Sequence, residues 1–137
     1  MKLSPHLSFN GQCQEAMEFY QRCLGGKIQS MLTYGNAPLS DRVPPQWRGK
    51  ILHATLAIGQ SILYAADTPP GQYQPPSGFH VTIGVQDAAE AERVFRALSK
   101  GGAVRMPLQK TFWSIRFGVV VDRFGISWEV NTQQAPE

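Results

Sequence analysis

Charge is scarce in this 137-residue chain: 17% of residues are Asp, Glu, Lys or Arg, against 42% that are hydrophobic. That balance excludes a disordered polyelectrolyte and leaves enough apolar surface for a core. Long hydrophobic runs are missing too. Stretches such as 117–121 are far shorter than the ~20 residues that cross a bilayer, and the polar opening from Met1 to His6 has no signal-peptide core. The expectation is a soluble, cytoplasmic protein with no membrane partner. Basic clusters are lacking as well. The net charge is +3, but Arg42, Arg48, Lys50, Arg93, Lys110 and Arg123 are scattered along the chain, so no nucleic-acid partner is expected.

Cysteine is limited to Cys13 and Cys23, in a segment that reads as one helix. A straight helix sets them about 15 Å apart, beyond the ~7 Å limit for bridged Cα atoms, so reduced thiols are expected. There is no CxxC pair and no HExxH. Gly25-Gly26-Lys27 lacks the earlier glycine and the following Ser or Thr of a phosphate loop, so nucleotide chemistry is not indicated. A chain of this length fits one compact domain or two half-size modules sharing a core, so no multidomain enzyme is expected.

What the sequence does contain is an internal repeat. Pro5-His6-Leu7-Ser8-Phe9 leads through Glu15-Ala16 and Phe19 to Leu24-Gly25-Gly26; Phe79-His80-Val81-Thr82-Ile83 leads through Glu90-Ala91 and Phe95 to Leu98 and Gly101-Gly102. Ala16, Phe19, Tyr20, Cys23 and Leu24 form one helical stripe, and Ala91, Val94, Phe95 and Leu98 form the other, with Asp87 and Glu90 as a capping box. Strand patterns follow at 27–33, 51–58 and 61–66, and again at 103–106, 115–121 and 126–131. The expected architecture is α+β, two β-α-β-β-β modules at 1–68 and 78–137. Residues 69–77, rich in proline, serve as the connector, and Gly35 to Gly49 is a long loop in the first module.

Alternation along the strands predicts one face under the helix and one open. Matching Gly59 with Gly125 sets Leu63 opposite Glu129 in the repeat, and the first strands set His6 opposite His80; Tyr64 then falls on the helix side.

Paired modules of this order, with His80-Val81-Thr82-Ile83 before Asp87-Ala88-Ala89-Glu90-Ala91 and a closing Asp122-Arg123-Phe124-Gly125-Ile126-Ser127-Trp128-Glu129, resemble the vicinal oxygen chelate superfamily of glyoxalases, extradiol dioxygenases and bleomycin-resistance proteins. Leu7-Ser8-Phe9-Asn10-Gly11, Glu15 to Tyr20, Phe112-Trp113 and Asp122 to Trp128 are most similar to its PhnB-like branch. Some members of that branch have carried a demethylubiquinone methyltransferase label; this sequence has no glycine-rich cofactor loop to support methyl transfer. The resemblance implies curved sheets around a cleft, a homodimer, and metal ligands from the first and fourth strands of each module. Carried over, those positions are His6, Leu63, His80 and Glu129. Leu63 offers no donor, which leaves three ligands, His6, His80 and Glu129, a set suited to Fe, Mn or Zn, with the Leu63 position open to water or substrate. The leading expectation is nevertheless a metal-free, small-molecule-binding cleft of unknown reaction, lined by Leu63 and Trp113. A metal-dependent dioxygenase or isomerase is the alternative.

Overall fold

The repeat seen in the sequence becomes two copies of one topology. The computed structural model describes residues 1–38 and 40–132, and the chain divides into two units, Met1–Pro75 and Pro76–Glu137. The first holds β1 (His6–Phe9), α1 (Cys13–Leu24), β2 (Lys27–Thr33), β3 (Ile51–Ile58) and β4 (Ser61–Asp67). The second holds β5 (Val81–Val85), α2 (Ala88–Ser99), β6 (Ala103–Gln109), β7 (Phe117–Val121) and β8 (Ser127–Thr132). Strand order is β1-β4-β3-β2 in one sheet and β5-β8-β7-β6 in the other. The edge strands β1 and β5 run parallel to β4 and β8, and the other pairs are antiparallel. This is the α+β arrangement of two β-α-β-β-β modules that the sequence predicts. The long loop between β2 and β3 is not featureless: it carries short 3-10 turns at Tyr34–Asn36, Ser40–Arg42 and Pro45–Trp47.

Each helix covers one face of its own sheet. Cys13, Ala16, Met17, Phe19, Tyr20 and Cys23 are buried where α1 packs on β2, β3 and β4. Ala91, Val94, Phe95 and Leu98 do the same for α2 over its four strands. Asp87 caps α2, its Oδ1 accepting the Glu90 N–H at 2.9 Å. The paired glycines divide their work. Gly25 and Gly101 adopt the left-handed conformation, at φ 74° and 77°. Their neighbours let the chain pass close to the sheet: a Cβ on Gly26 would stand 2.5 Å from the Ala57 carbonyl oxygen, and one on Gly102 would collide with that of Val121.

Buried side-chain acceptors close the ends of the ladders. α1 has no side-chain cap of its own at Gln12. Instead Asp67, at the end of β4 and 1% exposed, reaches across. Its Oδ1 accepts the N–H groups of Gly11 and Cys13, both at 2.9 Å, and Oδ2 accepts that of Ile51 at 2.8 Å. Thr132 holds the equivalent place at the end of β8, where its Oγ1 accepts the N–H groups of Ile115 and Arg116 at 3.1 and 3.2 Å. In the turn before β8, Asp122 accepts the N–H groups of Phe124 and Ile126 and the indole N–H of buried Trp128.

Candidate functional site

Hydrogen-bond register decides which side chains share a face. Along β4, Leu63, Ala65 and Asp67 are buried, while Ile62, Tyr64 and Ala66 are half-buried; along β8, Trp128, Val130 and Thr132 are buried, and Ser127, Glu129 and Asn131 are half-buried. The ladders pair His6 with Tyr64 and Thr82 with Glu129. The repeat therefore relates Tyr64, not Leu63, to Glu129, and Thr82, not His80, to His6. Leu63, 3% exposed, lies on the helix-covered face opposite Leu56, as Trp128 does in the second unit, and Tyr64 lies on the open face. The expected positions were one residue out on β4 because the matched glycines do not hold equivalent places: Gly59 stands three residues before Ile62 and Gly125 two before Ser127. Ala57 pairs with Ile62 across four intervening residues, and Val121 pairs with Ser127 across five. A one-residue slip reverses every face assignment.

In the first unit the open face carries the row His6, Tyr64, Thr55 and Ser30, with the His53 ring 5.6 Å from that of Tyr64. The corresponding row of the second unit is Thr82, Glu129, Val119 and Met106. There Thr82 Oγ1 donates to Glu129 Oε1 at 3.0 Å, and one step along the sheet His80, just before β5, meets Ser127 Oγ through Nδ1 at 2.6 Å. His80 and Glu129 thus share an open face, with Nε2 of His80 left for another partner. Asn131 continues the β8 polar row, and its Oδ1 is buried without a hydrogen-bond partner among the described residues. Such acceptors are uncommon in folded proteins and mark places where a further donor fits.

The metal donors implied by the resemblance do not assemble within either unit. The second contributes His80 and Glu129 to one face, and the first contributes His6 beside Tyr64 and no carboxylate on that row. Among the described residues, no group of three or more His, Cys, Asp or Glu side chains lies together at metal-binding distance.

Two recesses stand out. In the first unit one of about 270 Å³ lies over the start of α1, lined by Gly11, Gln12, Glu15, Lys50 and Asp67. Two of its charged groups are already committed to the chain: Asp67 holds three N–H groups and Lys50 Nζ donates to the Gly11 carbonyl at 2.9 Å. Burial, with Asp67 adding to it, pushes the Cys13 thiol up to about 12. The same two causes raise Tyr34, whose hydroxyl donates to the Asp67 carbonyl. In the second unit a recess of about 360 Å³ is lined by Gly78, Phe79, His80, Arg105, Val121 and Ser127, among others. It opens on the face that carries the His80–Ser127 pair. Phe79 is 47% exposed there.

Trp113 sits in the turn between β6 and β7, half in solvent. Its ring meets Phe112 and Phe117 edge-on, at 4.7 and 5.2 Å. Phe117 pairs with Asn131, so Trp113 borders the open face of the second sheet. Arg116 is tied to Glu92 at 3.5 Å and to the Ile115 carbonyl. Sequence patterning singled out neither Phe79 nor Arg105. A side chain's entry into a recess depends on local register, which no motif records.

Comparison with known proteins agrees with this fold. A family model described as 3-demethylubiquinone-9 3-methyltransferase matches residues 1–131. The crystal structure of protein PA1353 from Pseudomonas aeruginosa is 43% identical with a TM-score of 0.90, covering 98% of each chain. Protein YjdN of Escherichia coli is 34% identical, over 96% of this chain and 95% of its own length. A Bacillus cereus PhnB protein, described as a putative 3-demethylubiquinone-9 3-methyltransferase, is 26% identical with a TM-score of 0.77, over 96% and 99% of the two chains. A glyoxylase/bleomycin resistance protein/dioxygenase domain from Frankia and the fosfomycin resistance protein FosX from Mesorhizobium loti share the fold, at 13% and 12% identity and TM-scores of 0.69 and 0.63. Module order, sheet topology and these matches together establish that the chain belongs to the family described as 3-demethylubiquinone-9 3-methyltransferase, and that it shares its fold with glyoxylase/bleomycin resistance and fosfomycin resistance proteins.

Proposed function

We propose that the protein binds a small molecule on the open face of its second sheet, with the reaction, if any, following from that bound molecule. The observation that carries this is the recess of about 360 Å³ beside the His80–Ser127 pair. An apolar ring, a hydroxyl and an imidazole converge on one concavity of ligand-sized volume. The partnerless Asn131 Oδ1 and the bordering Trp113 extend the same face. Leu63, proposed from the sequence as a contact residue, is buried on the covered face of the first sheet and is not among the residues that line this recess. The two free, buried cysteines fit a reducing cytoplasm, where we place the protein. Among the described residues no helix is long and apolar enough to cross a membrane.

The test is amide NMR of the full chain against a library of soluble fragments. Binders should shift Gly78, His80, Gly125 and Ser127; binders that shift only other regions would refute the assignment. The metal-dependent alternative rests on His80 and Glu129 sharing a face; His6, the third donor implied by the resemblance, is not gathered with them among the described residues. Titration of Fe(II), Mn(II) and Zn(II) into wild type, His6→Ala, His80→Ala and Glu129→Ala distinguishes it. Binding lost in all three variants, and weakening on acidification as the imidazoles take up protons, would establish that site. Binding unchanged in His80→Ala would exclude it.

A further inference from the structure

We infer that the ligand of the second-unit recess carries an anionic group, a carboxylate or phosphate, read by Arg105; this rests on the recess being the binding site. The ladder between β6 and β7 slips between Val104 and Met106, leaving Arg105 as the extra residue of a bulge. The first unit has the same slip between Ile28 and Ser30, and there the extra residue is Gln29. Bulges re-aim a side chain that regular alternation would have placed elsewhere. In the second unit the re-aimed side chain is a guanidinium, and it lines the recess together with His80, Ser127 and Phe79.

The surroundings suit an anion. Among the described residues, no Asp or Glu lines this recess. Arg105 is exposed and has no ion-pair partner among the described residues, whereas Arg116 is paired with Glu92 and Arg123 lies over the Phe124 ring at 4.8 Å. An arginine fork presents parallel N–H groups that match two oxygens of a carboxylate or phosphate. Ser127 and His80 stand by as further polar contacts, and Phe79 offers an apolar surface to the rest of the ligand. The predicted ligand is a small anion on a flat apolar body.

Benzoate and its neutral isostere benzamide, titrated into the full labelled chain, test this; phenyl phosphate is a third probe that separates phosphate from carboxylate preference. Benzoate or phenyl phosphate should shift Gly78, His80 and Ser127, and one of them should bind about tenfold or more tighter than benzamide, as a charge-assisted pair requires. Arg105→Gln should remove that advantage and leave benzamide binding unchanged. Added salt should weaken the anions alone. Equal binding of anion and isostere, or full anion affinity in Arg105→Gln, would overturn the inference while leaving the recess as the site. If none of the probes shifts the recess, both the inference and the site assignment fall. Arg105→Lys should retain part of the advantage, which guards against a misfolded Arg105→Gln giving a false result.

Discussion

Replacing Asp67 with Ala should be among the most destabilising single changes in the first unit. The carboxylate holds three backbone N–H groups from two separate segments, Gly11 and Cys13 before and within α1 and Ile51 at the start of β3. Each buried donor left without an acceptor costs about 1–3 kcal/mol. Three such losses come to about 3–9 kcal/mol, but the recess of about 270 Å³ beside Asp67 lets water reach part of the site. We expect a loss of about 3–5 kcal/mol, a large share of the ~5–15 kcal/mol that holds a typical domain together. Asp67→Asn tests the bonding pattern itself. Its amide oxygen can keep the Gly11 and Cys13 bonds, yet its NH₂ then faces the Ile51 N–H, so one bond is lost and about 1–3 kcal/mol with it. Urea unfolding with unchanged slope reads both values as shifts in midpoint. A loss below about 1 kcal/mol for Asp67→Ala, or equal losses for the two variants, would refute the account.

Gly26→Ala should cost far more than Gly25→Ala: the former drives a Cβ against the Ala57 carbonyl, whereas the latter meets nothing within 4 Å and bears only the left-handed penalty of about 1 kcal/mol; thermal melts rank them. Cys13, with its thiol raised to about 12, should resist a thiol reagent at pH 8 in the folded protein and react on unfolding, as mass mapping of the labelled site would show. Because an unfolded thiol ionises near 9.0 and the folded one near 12, Cys13 should contribute stability below pH 9 that is lost as pH rises from 9 to 12; the Cys13→Ala variant should show a flatter alkaline decline in urea midpoint. The chain should also sediment as a dimer at micromolar concentration, as small modules that bury little surface alone favour; a monomer mass would count against it.

The elements were legible because their signals are local. Stripes at three- and four-residue spacing marked α1 and α2, Asp87 marked an N-cap, and Gly-Gly marked both helix exits. The site was less legible because it depends on register. Alternation placed Glu129 and His80 on one face, but not their counterparts in the first unit, since Gly59 and Gly125 stand at different places in their turns and the glycine match puts Leu63 where Tyr64 belongs. Arg105 was invisible for a related reason: its position follows from a slip between neighbouring strands, and no pattern within β6 itself announces it. Asp67 was hidden because its three partners lie 16 to 56 residues away.

The two units are alike on their covered faces and differ on their open ones. Beneath the helices they are built alike: Leu63 and Trp128, Ala65 and Val130, Asp67 and Thr132 fill equivalent buried places, and the second glycine of each pair passes under the same carbonyl of the following hairpin. On the open faces the likeness stops. His6, Tyr64 and Thr55 in one correspond to Thr82, Glu129 and Val119 in the other, and Gln29 corresponds to Arg105 at the shared bulge. Folding constrains the covered face, because each buried side chain there must fill a fixed volume and each buried N–H must find an acceptor. It places no such demand on the open face. An exposed imidazole and guanidinium and a half-buried hydroxyl gathered around one recess add little to packing, so their chemistry is free to serve recognition. A double replacement of His80 and Arg105 by Gln should therefore leave the urea midpoint within about 0.5 kcal/mol of wild type, the usual range for surface changes, while removing binding to the recess. A large loss of stability would show instead that this cluster holds the fold together.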